Sequence, residues 1–257
     1  MRKYIIILML LFFCFGFSSP HHRIIARKYT TVSSCDTTNI IFWWRCEAAD
    51  FDATNGTLDY SAGDDIATLG NEAAINTDAV KYGTNGLDIP LDYNRATFDA
   101  ISAAMDDEGR VGFWLYINDF DASNDSDLFR IICNSNNKAY LHLEGTDELS
   151  FAWIDSSTTR DLCSSSSANI AANTWYFIEA AWKTSTDYRE IFVNGVSVAS
   201  GGNCAATIAS FAGAVVTTEI GNVSGADADY YMDNVIIGSV STDDYNTGCK
   251  DELEWPE

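Results

Sequence analysis

The chain has few basic residues and almost no proline. Its 257 residues include 15 Lys and Arg against 37 Asp and Glu, for a formal net charge of −22, and only 3 Pro. Proteins that bind nucleic acid neutralise phosphates with clustered Lys and Arg, and no such cluster follows Lys28. We therefore predict no nucleic-acid partner. An acidic surface keeps an exported protein soluble and can also collect Ca²⁺.

Histidine is scarce, and the motifs of common catalytic sites are missing. Of the 3 His, only His142 lies beyond the N-terminal segment, and no GxSxG, HExxH or glycine-rich phosphate loop occurs. Glycoside hydrolases need two carboxylates at a defined separation. The nearest candidates for such a pair in this sequence are Glu144, Asp147 and Glu148, which lie on either side of a predicted hairpin turn. The sequence therefore predicts no catalytic residues and a protein that is not an enzyme.

No apolar run is long enough to span a bilayer, which takes about 20 residues. Arg2 and Lys3 precede an apolar run of 14 residues, 4–17, which small residues follow. This pattern is typical of a secretory signal peptide, here residues 1–18. We predict a secreted, extracellular protein with no stable membrane span after cleavage. An uncleaved anchor is the alternative, and residues 19–34 are predicted to be a flexible lead-in.

The cysteines lack the spacing of a metal site. One of the 7 lies in the predicted signal peptide, and the other six are Cys35, Cys46, Cys133, Cys163, Cys204 and Cys249. An even number in an exported chain favours disulfides over the alternative of buried free thiols. Cys133 and Cys163 flank consecutive predicted strands and form the favoured pair. Cys35 and Cys249 could join the two ends of the domain.

Residues 35–249 show the pattern of a single all-β domain, followed by a tail at 250–257. Alternation is clear over 111–117, and Asn194-Gly195 between alternating apolar residues is a strong hairpin signal. No alternation of strands and helices occurs, which excludes a parallel α/β fold. Helical spacing competes only at 96–108, where we expect a short helix or turn. The sequence predicts an antiparallel β-sandwich, and a jelly roll suits this number of strands.

Aromatic residues on the noncore face of a strand are candidates for sugar binding, because rings stack on the apolar faces of pyranoses. Trp114 and Tyr116 share such a face, and Trp153 lies in a nearby predicted strand. We predict these three residues as ligand-binding. The alternative is that they fill the core between the sheets or lie under a loop.

Asp233 is the carboxylate with the clearest structural constraint. By strict alternation it shares a face with Tyr231, Val235 and Ile237, the face expected to pack inward. A buried carboxylate must be hydrogen-bonded, paired or bound to a metal. Backbone N–H groups of a neighbouring loop and a cation are both open as its partner.

The ordered set of strand motifs resembles the laminin-G-like, concanavalin A-like jelly rolls of the lectin-glucanase superfamily. It comprises GRVGFWLYIND, NTWYFIEAAWK, REIFVNGVSVAS, TTEIGN and YYMDNVIIGS. The resemblance implies two curved antiparallel sheets and a role in binding glycans or proteins. It also implies a structural Ca²⁺ held by Asp233, with Asp50 or Asp52 supplying a further oxygen. The Glu-x-Asp-x-x-Glu signature of the family's hydrolases is absent.

Taken together, the sequence predicts a secreted module that binds a glycan or an extracellular or cell-surface protein. One alternative is a structural or assembly protein that self-associates, such as a filament, surface-layer or virion component. A less favoured alternative is a divergent glycoside hydrolase of the same fold.

Overall fold

The fold is built from short antiparallel strands with almost no helix. A computed structural model describes residues 39–44, 46, 51–52, 56–57, 68–70, 72–90, 94–99, 103–119, 126–144, 148–155, 160–165, 168, 170–200, 204, 207–221 and 228–242. All of them belong to one compact unit. Their strands are β1 (Ile40–Trp44), β2 (Phe51–Asp52), β3 (Gly56–Thr57), β4 (Thr68–Gly70), β5 (Ala74–Asn76), β6 (Gly86–Ile89), β7 (Arg95–Asp99), β8 (Glu108–Asp119), β9 (Ser126–Asn134), β10 (Asn137–Glu144), β11 (Glu148–Ile154), β12 (Arg160–Ser164), β13 (Trp175–Lys183), β14 (Tyr188–Val193), β15 (Val196–Ala199), β16 (Thr217–Gly221) and β17 (Asp229–Gly238).

Two large sheets contain most of these strands. The first sheet has 8 strands in the order β15-β14-β13-β8-β17-β6-β5, and β1 also pairs with β17. The second has 7 strands in the order β12-β11-β10-β9-β16-β7-β4, while β2 and β3 form a separate pair. Neighbouring strands are antiparallel throughout. The predicted all-β antiparallel sandwich is confirmed.

The main core lies between the two sheets, where strand alternation places one set of side chains from each. Val111, Phe113, Leu115 and Ile117 of β8 all belong to it, as their alternation predicts. Trp182 of β13 crosses the gap, since its ring centroid lies 5.6 Å from that of Phe151 in the second sheet. These ring contacts hold the sheets face to face.

The predicted short helix or turn within residues 96–108 is confirmed only for their second part. Their first part lies in strand β7, because Ala96 and Phe98 alternate into the main core. A 3-10 helix at Ala103–Asp106 then leads into β8. The spacing of the alanines in this segment resembles that of a helix, but the pairing of β7 with β16 and β4 determines that its first part is a strand.

The predicted hairpin at Asn194-Gly195 is confirmed as the connection between β14 and β15. Both residues have positive φ, 51° and 77°, as a two-residue turn of type I′ requires. The turn is also attached to β13. The N–H of Phe177 donates to Asn194 Oδ1 at 2.9 Å, and the N–H of Asn194 donates to the carbonyl of Phe177 at 2.8 Å.

The predicted pairing of Cys133 with Cys163 is wrong. Cys133 lies in β9 and Cys163 in β12, and two whole strands separate them in the second sheet. Three strand spacings amount to about 14 Å, beyond the reach of a disulfide. Cys163 is instead bonded to Cys204, and Cys133 is a half-buried free thiol. Cys46 is buried, while Cys35 and Cys249 lie outside the described residues.

Candidate functional site

Three aromatic residues line up on the outer face of the first sheet, the face turned away from the second sheet. Tyr116 of β8 is directly opposite Tyr231 of β17 on one side and Trp175 of β13 on the other. The ring of Tyr116 stacks on Tyr231 with centroids 5.8 Å apart, and lies 5.3 Å from the ring of Trp175. All three are half-buried. We call these three residues the aromatic row.

Alternation explains why these rings face outward. Tyr230 and Ile117 belong to the main core, so their neighbours Tyr231 and Tyr116 must point to the opposite face. Tyr176, which follows Trp175, packs against that core in the same way. Because the three strands are adjacent, their outward rings form one continuous surface about 10 Å across.

Trp114 lies on the same outer face, but it is covered. Only 6% of its surface is exposed. It packs against Phe177, and Tyr82 contacts its edge at a centroid distance of 5.7 Å. The ammonium of Lys81 lies 4.5 Å from the centroid of the Trp114 ring. The predicted outward orientation of Trp114 and Tyr116 is therefore observed, while Tyr116 alone of the two has an accessible ring.

Residues 77–85 cover Trp114, and we call this segment the covering loop. Asp233 holds it against the sheet through hydrogen bonds. The backbone N–H groups of Lys81 and Tyr82 donate to Asp233 Oδ2 at 2.9 and 2.8 Å. Asp233 is fully buried. Of the two partners left open by the sequence, backbone N–H groups of a neighbouring loop are the ones observed.

Asp233 does not share a face with Val235 and Ile237, contrary to the strict alternation used in the sequence analysis. The pairing of β17 with β8 is irregular between Asp233 and Ile236, and Asn234 has a φ of 52°. This bulge shifts the phase of the strand by one residue. Val235 and Ile237 therefore enter the main core, while Asp233 lies opposite Trp114 on the outer face.

Two carboxylates flank the Tyr231 end of the aromatic row. Asp88 of β6 is directly opposite Tyr231, and Asp229 precedes Tyr231 by two residues on the same strand. Asn76 Nδ2 donates to one oxygen of Asp88, and Asn118 Nδ2 donates to Asp229 Oδ1 at 3.1 Å. Burial raises the pKa of Asp88 above its ordinary value, and the charge of Asp229 adds to this rise.

A polar residue borders the row on its other side. Asn173 has a φ of 60°, and its N–H donates to the carbonyl of Ile117 at 2.8 Å. The hydroxyl of Tyr116 donates to Asn173 Oδ1 at 3.3 Å. The site thus combines apolar ring surface with amide and carboxylate groups at both edges, the composition typical of small-ligand sites.

Trp153, predicted as ligand-binding, is not part of this surface. It lies in β11 of the second sheet, and none of its surface is exposed. Its Nε1–H donates to the carbonyl of Ala209 at 2.9 Å, and its ring stacks on Phe211 at 4.6 Å. The alternative stated for it, a role in the core, is the one observed, because alternation along β11 places Leu149, Phe151 and Trp153 in the main core.

The predicted calcium site rests largely on residues beyond the structure's description. Asp50 and the side chain of Asp52 lie outside the described residues. Within the described ranges, no group of three or more His, Cys, Asp or Glu side chains could hold a metal ion. Asp233 Oδ2 accepts two N–H donors, which suits a carboxylate bonded to backbone. Calcium stays a prediction.

Trp175 and Tyr231 were missed as candidate site residues. Both stand in the sequence as outward positions of recognised strands, one at the start of NTWYFIEAAWK and one within YYMDNVIIGS. Their alternation could have placed them on the outer face. What could not be read is that β13, β8 and β17 are neighbours in that order and in register.

A family model supports the assignment of the fold. The model is of laminin G type, is described as the concanavalin A-like lectin/glucanases superfamily, and matches residues 94–240, more than half of the chain. The chain belongs to this superfamily. Its match begins just before β7 and ends just after β17, so it includes every residue of the aromatic row.

Solved structures share the fold of this concanavalin A-like domain. The receptor binding domain of botulinum neurotoxin C/D mosaic serotype matches with a TM-score of 0.60 and 14% identity, over 80% of this chain and 49% of its own. The binding domain of botulinum neurotoxin DC in complex with SialylT matches at 0.62 and 12%, over 81% and 50%. A structure of botulinum neurotoxin type C, whose cell entry is dependent upon interaction with two ganglioside molecules, matches at 0.61 and 11%, over 80% and 49%. The chain spans about half the length of these structures.

No curated protein is detectably similar in sequence to this chain. Among the described residues, no helix has the length and apolar character needed to cross a membrane.

Proposed function

We propose that this protein is a secreted binding module that recognises a glycan through the aromatic row. The observation that carries the proposal is the arrangement of Tyr231, Tyr116 and Trp175 across three adjacent strands, half-buried and in register. Their rings are held by the sheet in fixed positions, so little conformational entropy is lost when a ligand binds.

The chemistry of the surface suits a sugar. One face of a pyranose presents C–H groups, which pack on aromatic rings, while its hydroxyls need donors and acceptors around the edge. Asp88 and Asp229 supply acceptors at one end of the row, and Asn173 supplies an amide at the other. Structurally similar binding domains in complex with SialylT, or interacting with gangliosides, support a glycan as the partner.

A glycan array tests this proposal. Wild-type protein is expected to bind a subset of glycans, and Tyr116→Ala and Trp175→Ala are each expected to reduce that binding at least about tenfold. Tyr140→Ala is the matched control, since Tyr140 is a half-buried tyrosine on the outer face of the second sheet. The array is run with calcium and with EDTA, which tests the calcium prediction separately. Binding that survives Trp175→Ala and Tyr116→Ala contradicts the proposed site.

A hydrolase is the second candidate, because two neighbouring carboxylates differ in environment beside the row. The pKa of Asp88 is raised by burial and by the charge of Asp229, as expected for a general acid beside a second carboxylate. Release of reducing ends from the glycans that bind would favour this candidate, provided Asp88→Asn and Asp229→Asn each abolish it. Intact glycans after prolonged incubation favour the binding module.

A further inference from the structure

We propose that the aromatic row selects sugars without a negative charge and discriminates against sialylated glycans. This inference rests on the proposed glycan-binding function and adds the chemical class of the ligand. It is carried by the two carboxylates at the Tyr231 end of the row and by how the cationic groups of the same face are engaged.

Both carboxylates are positioned to accept hydrogen bonds from a ligand. An amide holds one oxygen of Asp88, from Asn76, and one oxygen of Asp229, from Asn118. Among the described residues, the second oxygen of each carboxylate has no protein donor. An ionised carboxylate is an acceptor only, so it matches the hydroxyl donors of a sugar and cannot donate to the carboxylate of a sialic acid.

The electrostatic environment at this end of the row is negative. Burial is the main cause that raises the pKa of Asp88, and the charges of Asp229 and Asp78 each raise it further. A ligand carboxylate placed over Tyr231 would be desolvated beside this charge, and like charges brought together in an interface weaken binding.

The cations Lys81, Arg110 and Lys183 of the outer face have partners within the fold. Lys183 Nζ lies 2.7 Å from Glu108 Oε2. The ammonium of Lys81 lies over the rings of Trp114 and Tyr82, at 4.5 and 5.4 Å from their centroids. Arg110 forms a buried ion pair with Glu179, at 2.8 Å from Nη2 to Oε1.

The test uses matched glycan pairs that differ only by one terminal sialic acid, such as lactose and sialyllactose or their longer extensions. The uncharged member of each recognised pair is expected to bind at least about tenfold more tightly than its sialylated partner. Asp88→Asn and Asp229→Asn are each expected to reduce the ratio of the affinity for the uncharged glycan to the affinity for its sialylated partner. Glu148→Gln, which removes one charge from β11 of the second sheet, is expected to leave it unchanged.

The outcomes separate the two proposals. If the sialylated members bind equally or more tightly, and Tyr116→Ala abolishes that binding, the proposed charge selection is wrong and the proposed glycan site is still supported. An equal narrowing of the ratio by Glu148→Gln also overturns it, because net charge alone would then explain the preference. No binding to any glycan overturns both proposals.

Discussion

At the scale of single residues, Asp233 links the sheet to the covering loop. Its Oδ2 satisfies two backbone N–H groups, from Lys81 and Tyr82, in a fully buried position. Asp233→Ala leaves both donors unsatisfied and is expected to lower the free energy of unfolding by about 2–4 kcal/mol. Denaturant titration measures the loss, and hydrogen exchange at the Lys81 and Tyr82 amides should become faster.

Asp233→Asn is the control, because its amide oxygen can still accept from the same N–H groups. It is expected to retain most of the stability and of the protection against exchange. A loss as large as that of Asp233→Ala would mean that the negative charge, as in a bound cation site, is what the position requires.

The raised pKa of Asp88 predicts how the stability of the protein depends on pH. Burial raises the pKa of this carboxyl, so the folded protein binds the proton more readily than the unfolded chain does. The contribution of Asp88 to stability is therefore greatest at low pH and is lost as pH rises through the raised pKa. Asp88→Asn should remove this part of the pH dependence, which lies in the range that begins at the ordinary aspartate pKa and extends upward. Stability curves that stay parallel for wild type and variant across that range contradict the prediction.

At the scale of elements, the β14–β15 turn shows how a local signal specifies structure. Gly195 has a φ of 77°, which a β-branched residue adopts only with strain. Gly195→Val is expected to destabilise the protein by about 1–2 kcal/mol. Val196→Thr, at a position 65% exposed, is the neighbouring control and should be nearly neutral. Thermal unfolding of the two variants distinguishes them, and equal melting temperatures would contradict the strained turn.

The same elements show what a sequence can and cannot predict. The alternation of β8 correctly placed Phe113 inward and Tyr116 outward, because side-chain direction in a regular strand depends only on parity. The same argument failed for Asp233, because the bulge at Asn234 has no sequence signal as clear as Asn-Gly. The burial of Trp114 was also hidden, since it depends on contacts with Lys81 and Tyr82, some 30 residues earlier in the chain.

At the scale of the whole molecule, sheet order decided which predictions failed. Cys133 and Cys163 flank consecutive strands in the sequence, yet β10 and β11 lie between their strands in the sheet. The same ordering brings Tyr231 and Trp175 to either side of Tyr116, although they are 56 residues apart in the numbering. Fold class follows from local patterns, whereas pairing of distant cysteines and assembly of a site require the topology.

The disulfide gives a prediction at this scale. Peptide mapping of the unreduced protein is expected to yield a fragment that joins Cys163 to Cys204. Cys163→Ser should lower the free energy of unfolding by about 2–4 kcal/mol, since the bond closes a loop with a sequence separation of 41. A fragment that joins Cys133 to Cys163 would contradict the topology of the second sheet.

The aromatic row is the central claim, and NMR of the tryptophan indole N–H groups in the presence of a recognised glycan tests it most directly. Trp175 lies in the row, whereas Trp153 and Trp182 are fully buried in the main core. Titration is expected to shift the signal of Trp175, assigned by its loss in Trp175→Phe, and to leave those of Trp153 and Trp182 in place. A glycan that binds without moving the Trp175 signal would contradict the claim.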